Sequence, residues 1–271
     1  MPELPEVETT VRGLARYLDG ERVEHVALNR PDMRFPFPEG FVQRVTGARI
    51  VGLGRRAKYG LLHTDRDLTV VFHLGMSGRW RIDPETIGKH DHLVLETATH
   101  RFALCDPRRF GFVDLIATDA LDEWPAFAAM GPEPLGPDLT ARHLKAALAG
   151  RKQAIKLMLL DQRVVAGLGN IYVCEALYRA RIDPRKAAGK VSAPKLETLV
   201  AAIREVLGEA IEAGGSSLRD YARPDGQLGY FSKRFDVYGR EGQPCRRDDA
   251  GFIRRIIQGG RSTWYCPKCQ T

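Results

Sequence analysis

The hydrophobic period of this chain changes twice along its length, and that change limits the folds open to it. Over residues 3–19, Val7, Val11, Leu14 and Leu18 recur at spacings of four, three and four, and Gly20 follows as a stop. That spacing predicts an amphipathic helix with one buried face. From 22 to about 117 the pattern becomes short β-rich runs, among them 49–53, 59–63, 68–74, 92–96 and 112–116, punctuated by Gly, Asp and Pro. Such runs predict an antiparallel sandwich or barrel. Helical spacing returns at 140–149, 152–161, 170–180 and 194–213, the last stopped by Gly214-Gly215. The expected fold class is therefore α+β. Residues 1–118 form a helix and β-sandwich domain, and 119–139, with its D-E-W-P and G-P-E-P-L-G-P turns, forms a linker. A helical domain follows at 140–236, and a short, basic, Cys-bearing module occupies 237–271. The Gly/Ser/Asp-rich stretch 216–236 reads as a mobile loop.

Charge divides along the same line. Residues 1–150 hold 19 Lys+Arg against 21 Asp+Glu, and 151–271 hold 22 against 13, so the net charge of +7 comes from the second part. A basic half beside a near-neutral one suggests a polyanion partner. No apolar run is long enough to span a bilayer, and the opening P-E-L-P-E-V-E lacks the basic-then-apolar order of a secretory signal. Five cysteines, an odd number spread over 271 residues, argue against a disulfide framework and for a reducing compartment; the cytoplasm is expected.

Between two of the helical segments lies R-V-V-A-G-L-G-N, with glycines three positions and one position before Asn170. Backbone N–H groups of such a turn at a helix mouth could seat a phosphate, although a glycine turn between helices is more often only a turn.

Several local sequences then fall in one order: M-P-E-L-P-E-V-E-T at 1–9, R-R-A-K-Y at 55–59, H-L-G-M-S-G at 73–78, H-D-H at 90–92 and D-P-R-R-F-G at 106–111. G-L-G-N-I-Y at 167–172, V-Y-G-R-E-G at 237–242 and R-S-T-W-Y-C-P-K-C-Q at 261–270 complete the series. Together they resemble the formamidopyrimidine-DNA glycosylases, bacterial enzymes that excise 8-oxoguanine and ring-opened purines, over essentially the whole chain. The resemblance implies an N-terminal β-sandwich, a helical domain with a helix-two-turns-helix DNA-binding motif, and a C-terminal zinc finger. It also implies a monomer acting on double-stranded DNA that contains oxidised purines.

What the resemblance implies for individual residues is chemically sensible. Trimming of the initiator Met would leave Pro2 a free secondary amine, able to attack the anomeric carbon and collapse to an iminium that acidifies the neighbouring sugar proton. The positive end of the first helix favours its neutral form. As a bare residue, proline there simply starts a helix well. Glu3 matches the acid/base carboxylate, with Glu6 in support, whereas Glu8 is accounted for as a complement to the helix macrodipole. Lys58 matches the proton donor for β-elimination, and Arg261 the arginine of the second, δ-elimination. Met76, Arg108 and Phe110 match the wedge that fills the space vacated by a flipped nucleotide, with Arg108 reading the orphaned base, a cytosine. His90, Lys152 and Asn170 match DNA-backbone contacts, the last two at helix starts that suit phosphates. The stretch 216–236 corresponds to a lesion-capping loop.

The zinc finger departs from the family pattern. Cys266-x2-Cys269 is complete, but the other knuckle reads Cys245-Arg246-Arg247-Asp248-Asp249. Counting forward from Cys245 puts Asp248 at the fourth ligand position, and counting back from Ile253 puts Asp249 there. Carboxylate oxygen binds zinc at about 2.0–2.2 Å, so three thiolates and one carboxylate form a feasible Zn2+ site. The alternative is an unmetallated hairpin held by packing. Cys105 and Cys174 match no ligand position and are expected in the core. Two rival functions stand beside the oxidised-purine enzyme. A relative resembling endonuclease VIII would share the proline chemistry, but E-L-P-E-V-E-T and the wedge arginine point away from it. A non-catalytic damage binder is disfavoured by intact Pro2, Glu3 and Lys58.

Overall fold

Helix α1 (Leu4–Leu18) forms where the spacing predicts it. Glu3 is its N-cap, Glu3 and Glu6 close a reciprocal capping box, and Pro5 sits in the first turn, where a missing N–H costs nothing. Leu4, Val7, Val11, Leu14 and Leu18 are all buried. At roughly 1.5–3 kcal/mol for each such side chain, docking stabilises this helix more than its propensity does. Asp19 ends it in an extended conformation and Gly20 turns away at φ +81°.

The computed structural model describes residues 2–216, 229–247 and 251–271. It divides into two compact units, one comprising residues up to Ala128 together with Ala213–Ser232, the other Ala129–Glu212 with Lys233–Thr271.

The first unit is a sandwich of two four-stranded antiparallel sheets. Its strands are β1 (His25–Leu28), β2 (Ile50–Arg56), β3 (Tyr59–Thr64), β4 (Leu68–His73), β5 (Arg79–Ile82), β6 (Asp91–Glu96), β7 (Arg101–Cys105) and β8 (Phe112–Ala117), with short helices α2 (Phe41–Val45) and α3 (Pro125–Ala128). One sheet runs β2-β3-β4-β8 and the other β1-β6-β7-β5. The two inner faces meet in an apolar core that includes Phe41, Leu62, Phe72, Trp80, Leu93 and Phe102, and α1 buries its stripe in the same core. Gly60 on β3 is forced by this packing: a Cβ there would lie 2.0 Å from the Phe72 ring. Strands β1, β5 and β7 were not among the runs singled out above. β1 and β5 have four residues each and β5 alternates with arginine, so neither carries enough apolar period to stand out.

The second unit holds α4 (Ala141–Leu148), α5 (Ile155–Leu159), α6 (Asn170–Arg179), α7 (Ala193–Glu212) and a hairpin of β9 (Arg254–Gln258) and β10 (Arg261–Tyr265). Thr140 caps α4 by accepting the His143 N–H at 3.1 Å. The hairpin closes on Gly259-Gly260, both at positive φ, with Gln258 opposite Arg261, the geometry that a two-residue turn demands. Buried Glu175 on α6 accepts the N–H groups of Asp236, Val237 and Tyr238 at 2.8–3.0 Å, which anchors the start of the tail.

The structure corrects two expectations. The helix expected at 152–161 is only Ile155–Leu159, because the residues before it pair instead with 187–189. Ala154 bridges Ala187, Ala188 N–H donates to the Gln153 carbonyl and Gly189 N–H to that of Arg151. Within the stretch expected to be a mobile loop, 217–228 lie outside the described residues, but Phe231–Arg234 form a 3-10 turn with Phe231 fully buried.

Candidate active site and thiol cluster

Pro2 is buried directly ahead of α1, and the Glu3 and Glu6 side chains are each 1% exposed. The Glu6 carboxylate is committed to bracing: Oε2 accepts the Glu3 N–H at 2.8 Å, while Oε1 accepts the Ser216 N–H at 2.7 Å and its hydroxyl at 2.9 Å. This ties the segment after α7 to the head of α1. Gly215 is required at that approach, since its φ is +81° and a Cβ would lie 3.2 Å from the Glu6 carboxylate. Glu6 therefore holds the site's frame, and Glu3 is the carboxylate adjoining the proline.

Lys58 lies in the two-residue turn joining β2 to β3, where Arg56 pairs with Tyr59. Ala57 in that turn takes φ +52° and is 1% exposed. A non-glycine residue held there costs on the order of 1–3 kcal/mol and persists only where its surroundings fix it. The neighbouring Arg55 donates from Nη1 to the Ala57 carbonyl at 2.9 Å and from Nε to Glu8 Oε2 at 2.8 Å. The other Glu8 oxygen accepts from Arg12 at 2.7 Å. Burial works to raise the Glu8 carboxyl, but the hydrogen bonds and charges of Arg55 and Arg12 outweigh it and hold the group below the usual carboxylate range. Glu8 is thus more than a complement to the helix dipole. The sequence signal was present in R-R-A-K-Y, but the partner lies 47 residues away.

The segments bearing Met76 and Arg108 are locked to each other. Asp106, fully buried, accepts the Ser77 hydroxyl at 2.5 Å on Oδ1 and the Gly111 N–H at 2.8 Å on Oδ2. Ser77 Oγ accepts the Arg108 N–H at 3.2 Å. The H-D-H segment closes the arrangement: His92 Nε2 meets the Asp106 carbonyl at 2.9 Å and the Asp106 N–H donates to the His90 carbonyl at 2.9 Å. His90 itself is half-buried. On this frame Arg108 lies over the Phe110 ring, 4.7 Å from its centroid, and Phe110 is 44% exposed. An aromatic ring left open on a rigid loop is available to stack, which is not the core role such residues more often take. Met33, Arg34, His73, Met76, Arg108 and Phe110 line a cavity of about 590 Å³. His73 is pushed down to about 4, first by burial and then by the charges of Lys58 and Arg34. It is neutral at pH 7, and because Nδ1 accepts the Gly75 N–H at 3.1 Å its proton sits on Nε2.

In the second unit, Asn170 opens α6 and donates from Nδ2 to the Ser262 carbonyl at 2.9 Å. Lys156, fully buried, donates to Thr263 Oγ1 at 2.7 Å and to the Ser262 carbonyl at 3.2 Å. These bonds dock β10 next to exposed Arg261. Lys156 was missed because a lysine in an apolar run carries no mark of its partner. Lys152 is exposed but precedes α5 by three residues, so it does not sit at a helix start. The Gly167 N–H proposed for phosphate is taken by Gln162 Oε1 at 2.8 Å.

The Sγ atoms of Cys245, Cys266 and Cys269 all lie within 4.8 Å of one another, with Cys245 and Cys269 4.0 Å apart. A tetrahedron with Zn–S bonds of about 2.3 Å has edges of about 3.8 Å, so the three thiols fit zinc. The Tyr178 hydroxyl lies 3.2 Å from Cys245 Sγ. Arg247 donates to the carbonyls of Tyr178 and Arg179 and lies 3.5 Å from Cys269 Sγ, its guanidinium 4.1 Å above the Tyr178 ring. Asp248 and Asp249 lie outside the described residues. Cys105 and Cys174 are buried and are not part of this trio, although Cys174 packs in the same apolar cluster as Cys266 and Cys269.

Comparison with known proteins agrees with both units. Residues 1–113 match the formamidopyrimidine-DNA glycosylase N-terminal domain, 130–222 the H2TH domain of the same enzymes, and 251–271 a zinc finger found in these glycosylases and in isoleucyl-tRNA synthetase. Fold and site together define a DNA glycosylase of base-excision repair. A formamidopyrimidine-DNA glycosylase of Erythrobacter litoralis is 73% identical over 270 residues, covering 100% of both chains, and one of Novosphingobium aromaticivorans is 69% identical over 271 residues with the same coverage. The Lactococcus lactis enzyme in complex with abasic-site DNA superposes with a TM-score of 0.92 at 35% identity, covering 100% of both chains. The Thermus thermophilus protein gives 0.89 at 38% identity, covering 99% of this chain and 98% of that one. The chain belongs to the formamidopyrimidine-DNA glycosylase family, as its motifs implied. No helix among the described residues is long and apolar enough to cross a membrane.

Proposed function

We propose that this chain excises oxidised purines, 8-oxoguanine and formamidopyrimidines, from double-stranded DNA and then cleaves the strand at the abasic site, with Pro2 as nucleophile. Removal of Met1 exposes the secondary amine. Its attack on the anomeric carbon breaks the bond to the base, and Glu3 passes protons to the leaving base and the sugar ring oxygen as the ring opens. The resulting iminium is the electron sink for β-elimination, with Lys58 as proton donor, and Arg261 serves the δ-elimination that follows. Met76, Arg108 and Phe110 fill the vacated stack, Arg108 toward the orphaned base. His90, Lys152 and Asn170 hold the DNA backbone, and the 216–236 loop caps the lesion.

The observation that carries this reading is the head of α1: a proline immediately before a capping box, beside a carboxylate that is 1% exposed and braced by Glu6. The test is borohydride trapping on an oligonucleotide bearing 8-oxoguanine. The processed chain becomes covalently attached, Pro2→Ala or a chain retaining Met1 does not, and both keep most of their DNA affinity. Undiminished trapping by either would sink the proline mechanism.

Zinc is a structural cross-link in this reading and supplies no reaction chemistry. Cys245, Cys266 and Cys269 hold it, with Asp248 or Asp249 as the fourth ligand. We further infer a monomer in the bacterial cytoplasm, drawn to the nucleoid by its affinity for DNA. Its layout is a catalytic domain over 1–118, a linker over 119–139, a DNA-binding domain over 140–236 and a finger over 237–271.

A further inference from the structure

The reaction above takes amines from two separate elements, Pro2 ahead of α1 and Lys58 in the β2–β3 turn. Strands β2 and β3 pack against α1, and one side chain also bonds the turn between them to that helix. Arg55, 9% exposed, reaches Glu8 on α1 through Nε at 2.8 Å and the Ala57 carbonyl of the Lys58 turn through Nη1 at 2.9 Å. A planar guanidinium with donors in a fixed fork makes two such bonds in a set geometry, which a lysine amine does not reproduce. Glu8 is steadied from the other side by Arg12, one turn along the same helix. Ala57 is buried at positive φ, a conformation that its surroundings hold and to which the bond from Arg55 contributes.

We infer that Arg55 is a positioning residue for strand cleavage: through Glu8 and the Ala57 carbonyl it fixes the Lys58 turn against the helix that carries Pro2. This rests on the proline and lysine roles proposed above, and the test separates the two layers. Iminium formation needs Pro2 and Glu3, whereas β-elimination also needs Lys58 in register. Loss of Arg55 should therefore act on the second step more than on the first.

The experiment is a single-turnover comparison on duplex carrying a preformed abasic site, scoring borohydride-trapped complex and β-eliminated strand for the parent, Arg55→Ala, Arg55→Lys, Glu8→Gln and Lys58→Ala. Arg55→Ala should lower the rate of β-elimination at least tenfold while trapping changes less than threefold. Arg55→Lys should rescue little of that loss. Glu8→Gln should shift the same ratio in the same direction, and its combination with Arg55→Ala should add less than the two losses together. Thermal melting, followed alongside, should stay within a few degrees of the parent for Arg55→Ala, where Glu8 keeps Arg12. Equal losses in trapping and elimination, or no loss in either, would overturn the positioning role. A parent chain that does not trap, or Lys58→Ala with full elimination, would instead overturn the underlying reading.

Discussion

Asp106 offers the sharpest test of how the proposed wedge is held. Its carboxylate is fully buried and accepts from three donors: the Ser77 hydroxyl and the Gly111 N–H, both on buried residues, and at 3.3 Å the Arg108 N–H, which it shares with Ser77 Oγ. In Asp106→Ala the Ser77 hydroxyl and the Gly111 N–H lose their acceptor, while the Arg108 N–H keeps Ser77 Oγ. Each buried donor left unsatisfied costs about 1–3 kcal/mol, so the variant should lose roughly 2–6 kcal/mol. Asp106→Asn should behave differently. The Gly111 N–H can only donate, so the amide must turn its carbonyl there and offer its NH2 to Ser77 Oγ, which can rotate its proton and accept. The loss is then of charge assistance at Gly111 and of an acceptor for the Ser77 hydroxyl proton, about 1–3 kcal/mol and less than for Ala. Function should follow the same order, because Ser77 Oγ also receives the Arg108 N–H. Urea denaturation measures the stability, and excision of 8-oxoguanine opposite each of the four bases measures wedge reading. The expected result is near-parental opposite-base discrimination for Asn and a severalfold loss for Ala, with non-specific duplex affinity nearly unchanged in both. If Ala and Asn are equally stable, or if Ala discriminates like the parent, the hydrogen-bond frame does not hold the wedge.

Two further outcomes follow from the site. His73 is held down at about 4 against an ordinary value of 6.5, so above pH 6.5 it is neutral folded or unfolded, and as pH falls from 6.5 to about 4 only the unfolded chain takes the proton. Stability should fall by up to a few kcal/mol across that window, and His73→Gln should flatten the difference; an unchanged slope in urea melts between pH 4 and 6.5 would refute the assignment. Purified protein should carry one zinc per chain, lost to chelators more readily than from a four-thiolate site, with Asp248→Ala or Asp249→Ala lowering the metal content. Active, chelator-free protein without stoichiometric zinc would decide for a hairpin held by packing.

How far the sequence could be read depended on whether a residue's role was set by its neighbours in the chain. α1, α6 and α7 were legible because each carries its apolar period within itself, Cys266 and Cys269 because their spacing is local, and Cys245 through the family resemblance. β1 and β5 were not, since a four-residue strand has too few positions to show a period and is defined by the sheet that receives it. The same limit governs the site. Pro2 and Lys58 stood out through the residues around them. Lys156 did not, because what distinguishes it from exposed Lys152 is a hydroxyl and a carbonyl more than 100 residues away.

Glu8 shows what such a miss conceals. In sequence it is one of three glutamates near a helix start, and the macrodipole is a sufficient account of it. In the fold it lies in the second turn of α1, where dipole complementation is already fading, and its carboxylate is divided between Arg12 and Arg55. The three glutamates therefore part by geometry rather than by type. Glu3 adjoins Pro2, the proposed nucleophile, Glu6 binds the backbone around it, and Glu8 meets through Arg55 the turn that bears Lys58. A substitution of any one of them should alter a different quantity: chemistry for Glu3, the stability of the helix head for Glu6, and the ratio of strand cleavage to iminium formation for Glu8.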